Sequence, residues 1–183
     1  LVQKREEIRG SMGITDQFVI GHVGNFCYQK NHYFLLDVFE EVHKKDPNTV
    51  LLLAGDGVRF EKVRQIVAEK NLEDVVKLLG RRSDTDYLYQ GMDAFLLPSN
   101  FEGLPIAGIE AQSAGLPCFM SDEITKESKI TEACYFIPLK SGAKYWAEEI
   151  LDNRMERQSA EFLDNAEQYD LANQDQELKS LIR

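Results

Sequence analysis

The feature that most restricts how this chain can fold is the segment over residues 94–120, AFLLPSNFEGLPIAGIEAQSAGLPCFM. Ala94-Phe95-Leu96-Leu97 is an unbroken apolar run halted by Pro98, the pattern of a strand covered on both faces. Residues 99–103 read as a loop that carries one carboxylate, Glu102. Pro105, with its fixed φ and missing N–H, suits the first turn of a helix. Ile106, Ile109 and Ala114 follow at helical spacing, and Gly115 with Pro117 closes the helix. Cys118-Phe119-Met120 is extended again. The unit is strand, loop, helix, strand.

The same alternation runs through the rest of the chain. A short helix over Val2–Ser11 ends at Gly13; from the residues it is either a linker helix or a frayed end. QFVIGHVG, residues 17–24, is a buried-type strand, and Gly21 and Gly24 leave room for a backbone or ligand. Residues 31–45 form an amphipathic helix with Phe34, Leu35, Val38, Phe39 and Val42 on one face. Thr49–Ala54 is a second strand, Gly55-Asp56-Gly57 a tight turn, 58–70 a helix and 75–79 a third strand. Ser83 is the expected cap of the next helix, with Asp86 three residues on, and Tyr87, Leu88 and Met92 pack. A last strand falls in 131–139. Ser141 caps a helix over 143–151 with Trp146 and Ile150 inward. Six rounds of strand and helix predict an α/β domain over residues 1–151, a Rossmann-like open parallel sheet with helices on both faces. Residues 152–183 read as an acidic helical tail.

The chemistry lies at the mouth of the helix after Pro105. Free N–H groups in a first helical turn favour an anion, and Gly103 permits close approach. Yet Glu102 would repel a bare phosphate. Glu110 is eight residues further on, about 9 Å along the axis from Leu104 at ~1.5 Å per residue. A carboxylate accepts two hydroxyl donors at once. A ligand with phosphate in the middle and sugar hydroxyls on either side satisfies all three groups.

From Pro98 to Pro117 the run PSNFEGLPIAGIEAQSAGLP resembles, without a gap, the retaining GT-B-fold glycosyltransferases of family four. Their nucleotide-sugar half carries a strand, P-S-x-x-E-G-x-P, a helix with a second Glu, and A-G-x-P. GNFCYQKNH, residues 24–32, resembles the family's G-R-x-x-x-x-K loop, and AGDG its G-D-G turn. The resemblance covers about residues 17–151. It implies one half of a GT-B fold that binds a nucleoside-diphosphate sugar as substrate, with no tightly held cofactor and no metal.

The roles that the resemblance implies fall on Gly24, Asn25, Lys30, Arg81, Glu102, Gly103, Leu104, Ile106 and Glu110. Lys30 would neutralise the diphosphate and Glu102 would hold the donor sugar, so these two are the catalytic candidates. The N–H groups of Gly103, Leu104 and Ile106 would hold phosphate. Glu110 would hold the ribose, and the main chain at Arg81 the base. Asn25 stands where the family has arginine, so the clamp is weaker or completed elsewhere. Read without the family, Lys30 has the lesser alternative of a solvated lysine ahead of a helix, Arg82 is equally a surface residue or a cleft cation, and His22 is a structural residue lining the cleft.

The resemblance also implies partners. The acceptor-binding N-terminal half would lie outside this chain, and the tail would pack on it or on this domain. The repeated motifs look most like enzymes that build bacterial capsule or exopolysaccharide on lipid-linked acceptors, which implies a cytoplasmic protein open to peripheral association with the inner membrane face. The rival readings are a non-catalytic flavodoxin-like binding module and a GT-B-fold nucleotide-sugar epimerase half.

Composition excludes other classes. The net charge of −10 argues against nucleic acid, whose binding depends on Lys and Arg at phosphates. Cys27, Cys118 and Cys134 form no C-x-x-C and read as small buried thiols in a reducing compartment. No apolar run approaches the ~18 residues of a membrane span, and none reads as a signal peptide. Asp122 and Glu123, beside Lys126 and Lys129, read as a solvated face rather than metal ligands.

Overall fold

The computed structural model describes residues 2–155; most of the tail expected over 152–183 lies outside the described residues. Six strands, β1 (Phe18–Val23), β2 (Thr49–Ala54), β3 (Val76–Gly80), β4 (Ala94–Leu97), β5 (Cys118–Ser121) and β6 (Cys134–Ile137), form one sheet. The order is β3-β2-β1-β4-β5-β6 and every pairing is parallel. Six helices accompany them: α1 (Val2–Ser11), α2 (His32–Lys45), α3 (Phe60–Glu69), α4 (Thr85–Gly91), α5 (Ile106–Ser113) and α6 (Gly142–Asp152). None is long and apolar enough to cross a membrane.

The strands are apolar throughout because both faces are covered. Along β2, Leu51 and Leu53 enter one core with α2, α3 and α6, while Val50, Leu52 and Ala54 enter the other with α1, α4 and α5. Successive residues of a strand point to opposite faces, so one run of TVLLLA serves both cores. Trp146 and Ile150 are fully buried, and the Trp146 indole N–H donates to Pro138 O at 3.0 Å.

Helix α1 is docked, not frayed. Arg9 donates to the carbonyls of Gly91, Thr15 and Gln17, and both Arg5 and Arg9 pair with Asp93, whose Oδ2 also accepts the Val19 N–H at 2.8 Å. Burial lowers the Arg9 pKa against the pull of Asp93.

Several local expectations need correction. Gly21 makes room for Met92, whose sulfur would lie 2.0 Å from an added Cβ, and not for a ligand. The cap of α4 is Asp84, not Ser83, and makes no side-chain capping bond. Pro105 precedes α5 as its cap, in extended conformation, instead of opening its first turn. The face of α5 toward the sheet is Gly108, Ala111 and Gln112; Ile106 is 62% exposed. Small residues let α5 lie close to the sheet, with Met120 and Leu97 filling the space a side chain at Gly108 would take.

The topology fixes where a ligand can sit. The chain runs one way from β1 through β2 to β3, and the other way from β4 to β6. Open α/β sheets bind ligands at the carboxyl ends of the strands, where that order reverses. Here the reversal lies between β1 and β4, which pair directly at Ile20–Ala94 and Gly21–Phe95. The loops after these two strands carry Gly24 to Lys30 and Ser99 to Leu104.

Candidate functional site

The loops at the carboxyl edge are laced together by backbone. Gly24 N–H donates to Ala54 O at 3.0 Å and Gly55 N–H to Gly80 O at 2.8 Å, so the ends of β1, β2 and β3 form one rim. A Cβ at Gly55, whose φ is +142°, would fall 1.9 Å from Gly24 O. The G-D-G turn is therefore a close-packing device. Asn100 closes the rim on the other side: its N–H donates to Gln29 O at 2.8 Å and its side-chain amide to Tyr28 O at 2.7 Å.

Across that junction the Lys30 ammonium donates to Glu102 Oε1. The Ser99 hydroxyl donates to Glu102 Oε2 at 2.8 Å, and Ser121 Oγ holds the Ser99 carbonyl at 2.5 Å. Glu102 is thus fully engaged, with 9% of its side chain exposed. Beyond it the N–H groups of Gly103, Leu104, Ile106 and Ala107 have no backbone acceptor among the described residues. They form the positive end of α5.

Glu110 lines an open cleft of about 430 Å³ between α4 and α5, lined also by Leu104, Ile106, Ile109, Asp86 and Tyr89. The Tyr89 hydroxyl donates to Glu110 Oε2 at 2.9 Å. Burial and the adjacent carboxylate raise the phenol's pKa, so it stays a donor. Of the two glutamates, then, one lines the cleft and the other is packed beside the helix mouth.

The remaining candidates sit around this centre. Gly24 lies under the loop, with His22 Nε2 and the Lys30 chain close to where its Cβ would be. The Asn25 side chain lies against the backbone of Gly57. Arg81 is exposed after Gly80, which closes β3 at φ +65°. Arg82 is a neutralised surface cation in a two-bond pair with Asp84, at 2.8 and 2.7 Å. His22 is fully buried beneath the loop and does not line the cleft. Its Nδ1 bonds Leu96 O at 2.8 Å, and burial pushes its pKa down to about 4.

Sequence reasoning missed Ser99 and Tyr89. Ser99 precedes Glu102 by three residues within the matched motif, a readable signal. Tyr89 carries no such mark, because its partner is on another helix.

The chain matches the model of the family "Glycosyl transferases group 1" over residues 4–170. It belongs to that family. This group 1 chain is 37% identical over 126 residues to the putative glycosyltransferase EpsF of Bacillus subtilis (strain 168), covering 68% of this chain and 33% of that protein. It is 34% identical over 110 residues to the UDP-Gal:alpha-D-GlcNAc-diphosphoundecaprenol alpha-1,3-galactosyltransferase of Escherichia coli, covering 58% of this chain and 28% of that one. Among solved structures, HepE of Anabaena in complex with UDP and glucose superposes with a TM-score of 0.80 at 20% identity, over 98% of this chain and 52% of that one. The group 1 chain matches about a third of the length of the two curated relatives and about half of HepE, and its fold is that of a GT-B glycosyltransferase half.

Proposed function

We propose that this chain is the donor-binding domain of a retaining glycosyltransferase that moves a sugar from a nucleoside-diphosphate sugar to an acceptor. The observation that carries the reading is that the loop leading into α5 holds Glu102 paired with Lys30, while Leu104 and Ile106 at the same helix end line a cleft together with Glu110. The unpaired N–H groups of Gly103, Leu104 and Ile106 receive phosphate, and Gly24 lets the loop approach it. Glu110, aimed by Tyr89, accepts the ribose hydroxyls. The main chain at Arg81 meets the base, and Asn25 offers one neutral hydrogen bond.

Glu102 accepts hydrogen bonds from the donor sugar once the Lys30 ammonium turns to the diphosphate. As the anomeric carbon–oxygen bond breaks, its electron pair passes to the phosphate oxygen, and Lys30 with the helix mouth stabilises that charge. The two glutamates do not straddle one bond as a hydrolase pair does. The acceptor and its domain belong to the longer enzyme. The diphosphoundecaprenol in the name of the Escherichia coli relative favours a lipid-linked saccharide at the inner membrane face. Residues 1–151 are the donor-binding unit.

Calorimetric titration with UDP, GDP and ADP tests the reading. At least one binds, and Glu110→Ala weakens it by about 1–3 kcal/mol through lost ribose hydrogen bonds. Binding of none of the three would leave the flavodoxin-like module as the better account.

A further inference from the structure

Arg59 sits where local physics gives a cation no reason to be. It is the cap residue of α3, makes no side-chain capping bond, and lies at the helix end whose dipole disfavours positive charge. Glu61, in the first turn, is turned to Arg64. Among the described residues no carboxylate pairs with Arg59, in a chain of 31 acidic residues against 21 basic ones. Instead its guanidinium lies over the rings of Tyr28 and Tyr33, 5.1 and 5.0 Å from their centroids.

That placement is held from below. The Arg59 N–H donates to Phe26 O and the Phe26 N–H to Asp56 O, both at 2.9 Å. The loop that carries Lys30 is thereby joined to the start of α3. Tyr28 is 60% exposed and its ring is 6.5 Å from that of Phe101, itself 55% exposed. The group forms a rim of two tyrosines, one phenylalanine and one cation, on the edge of the sheet where the candidate site lies.

Of the side-chain cations on the loops of this edge, Lys30 is matched by Glu102 and Arg82 by Asp84. The exposed Arg81 and Lys126, which lies over the Phe136 ring, share with Arg59 the lack of a paired carboxylate among the described residues. Arg59 alone of these three lies over two rings, one of them on the loop that carries Lys30. Asn25, next to Phe26, brings no charge and lies against Gly57. Arg59 keeps its charge unmatched. Stacking on aromatic faces fixes a guanidinium through its plane and leaves the N–H groups at its edge for acceptors, a geometry suited to two phosphate oxygens.

We infer that Arg59, held on the Tyr28–Tyr33 platform, binds a phosphate group of a substrate. The phosphate comes either from the donor's diphosphate or from a second, phosphate-bearing substrate. The inference takes the location of the site from the proposed function, but its test has a separate reading.

The 183-residue chain is titrated with inorganic pyrophosphate, with UDP, and with pyrophosphate in the presence of saturating UDP. Arg59→Gln is expected to weaken pyrophosphate roughly tenfold, the loss of one charge-assisted pair. Lys62→Gln, which removes one exposed charge from the same helix, is expected to leave it unchanged. A matching loss for UDP assigns the contact to the donor. Unchanged UDP affinity, with pyrophosphate still binding under saturating UDP, assigns it to the second substrate. Wild-type pyrophosphate affinity in Arg59→Gln, or an equal loss in Lys62→Gln, overturns the inference. Should UDP fail to bind while Arg59→Gln still weakens pyrophosphate, the donor reading falls and the Arg59 site stands.

Discussion

Lys30 and Glu102, 72 residues apart in the chain, form one ion pair across the junction of β1 and β4, with 14% and 9% of their side chains exposed. Such a pair has given up much of its hydration, so removing one partner strands the other. Lys30→Met is expected to destabilise the chain by roughly 2–4 kcal/mol in urea unfolding. Lys30→Met combined with Glu102→Gln should recover more than half of that loss. A double variant no more stable than Lys30→Met would show that the pair is not coupled.

Tyr89 and Glu110 offer a finer probe of the cleft. Tyr89→Phe removes only the hydroxyl that fixes the carboxylate. UDP affinity should fall by about 1 kcal/mol, less than in Glu110→Ala, with little change in stability. Calorimetry on the two variants gives the comparison; equal losses would mean that Tyr89 does more than aim Glu110.

The buried histidines predict a pH dependence. His32 stacks on Phe26 at 4.0 Å and meets His22 edge-on at 4.7 Å; both of its nitrogens and His22 Nε2 lack partners among the described residues. Burial, with Lys30 and Arg59 near, pushes the His32 pKa down to about 2, and burial holds His22 at about 4. In the unfolded chain both ionise near 6.5. As pH falls through 6.5 the unfolded state takes up protons that the folded state refuses, so stability is lost. The loss continues to about pH 4 for His22 and lower for His32. Between pH 7 and pH 5 each contributes on the order of 2 kcal/mol. His32→Phe keeps the stacking, costs little at pH 7 and should make the decline to pH 5 shallower by about that amount. An unaltered slope would refute the assignment.

Asp93 holds α1 to the sheet. Asp93→Ala leaves Arg5 and Arg9 without their carboxylate and the Val19 N–H without its acceptor. The expected cost is roughly 3–5 kcal/mol, and α1 amides should exchange faster than those of β1. Protection of α1 equal to wild type would place its anchoring elsewhere, in Ile8 and Ile14.

Much of the fold could be read from local pattern. β2 and β4 fall on the predicted residues, because a strand buried on both faces leaves an unbroken apolar run between turn residues. α1 likewise has its predicted bounds. The buried face of α5 is not legible in the sequence, because its isoleucines, at helical spacing, line the cleft while Gly108 and Ala111 are buried. Spacing marks a stripe but does not say which stripe a neighbour covers.

Of the candidate site, the sequence alone determined the ingredients: two glutamates eight apart, a lysine in a glycine-led loop, and strands that need cover on both sides. Only the tertiary structure decided their pairing. The order of the parallel strands sets β1 beside β4, and this brings Lys30 onto Glu102 and frees Glu110 to face the cleft under Tyr89. Contacts between residues distant in the chain follow from which strands become neighbours. Periodicity along one segment carries no trace of that choice.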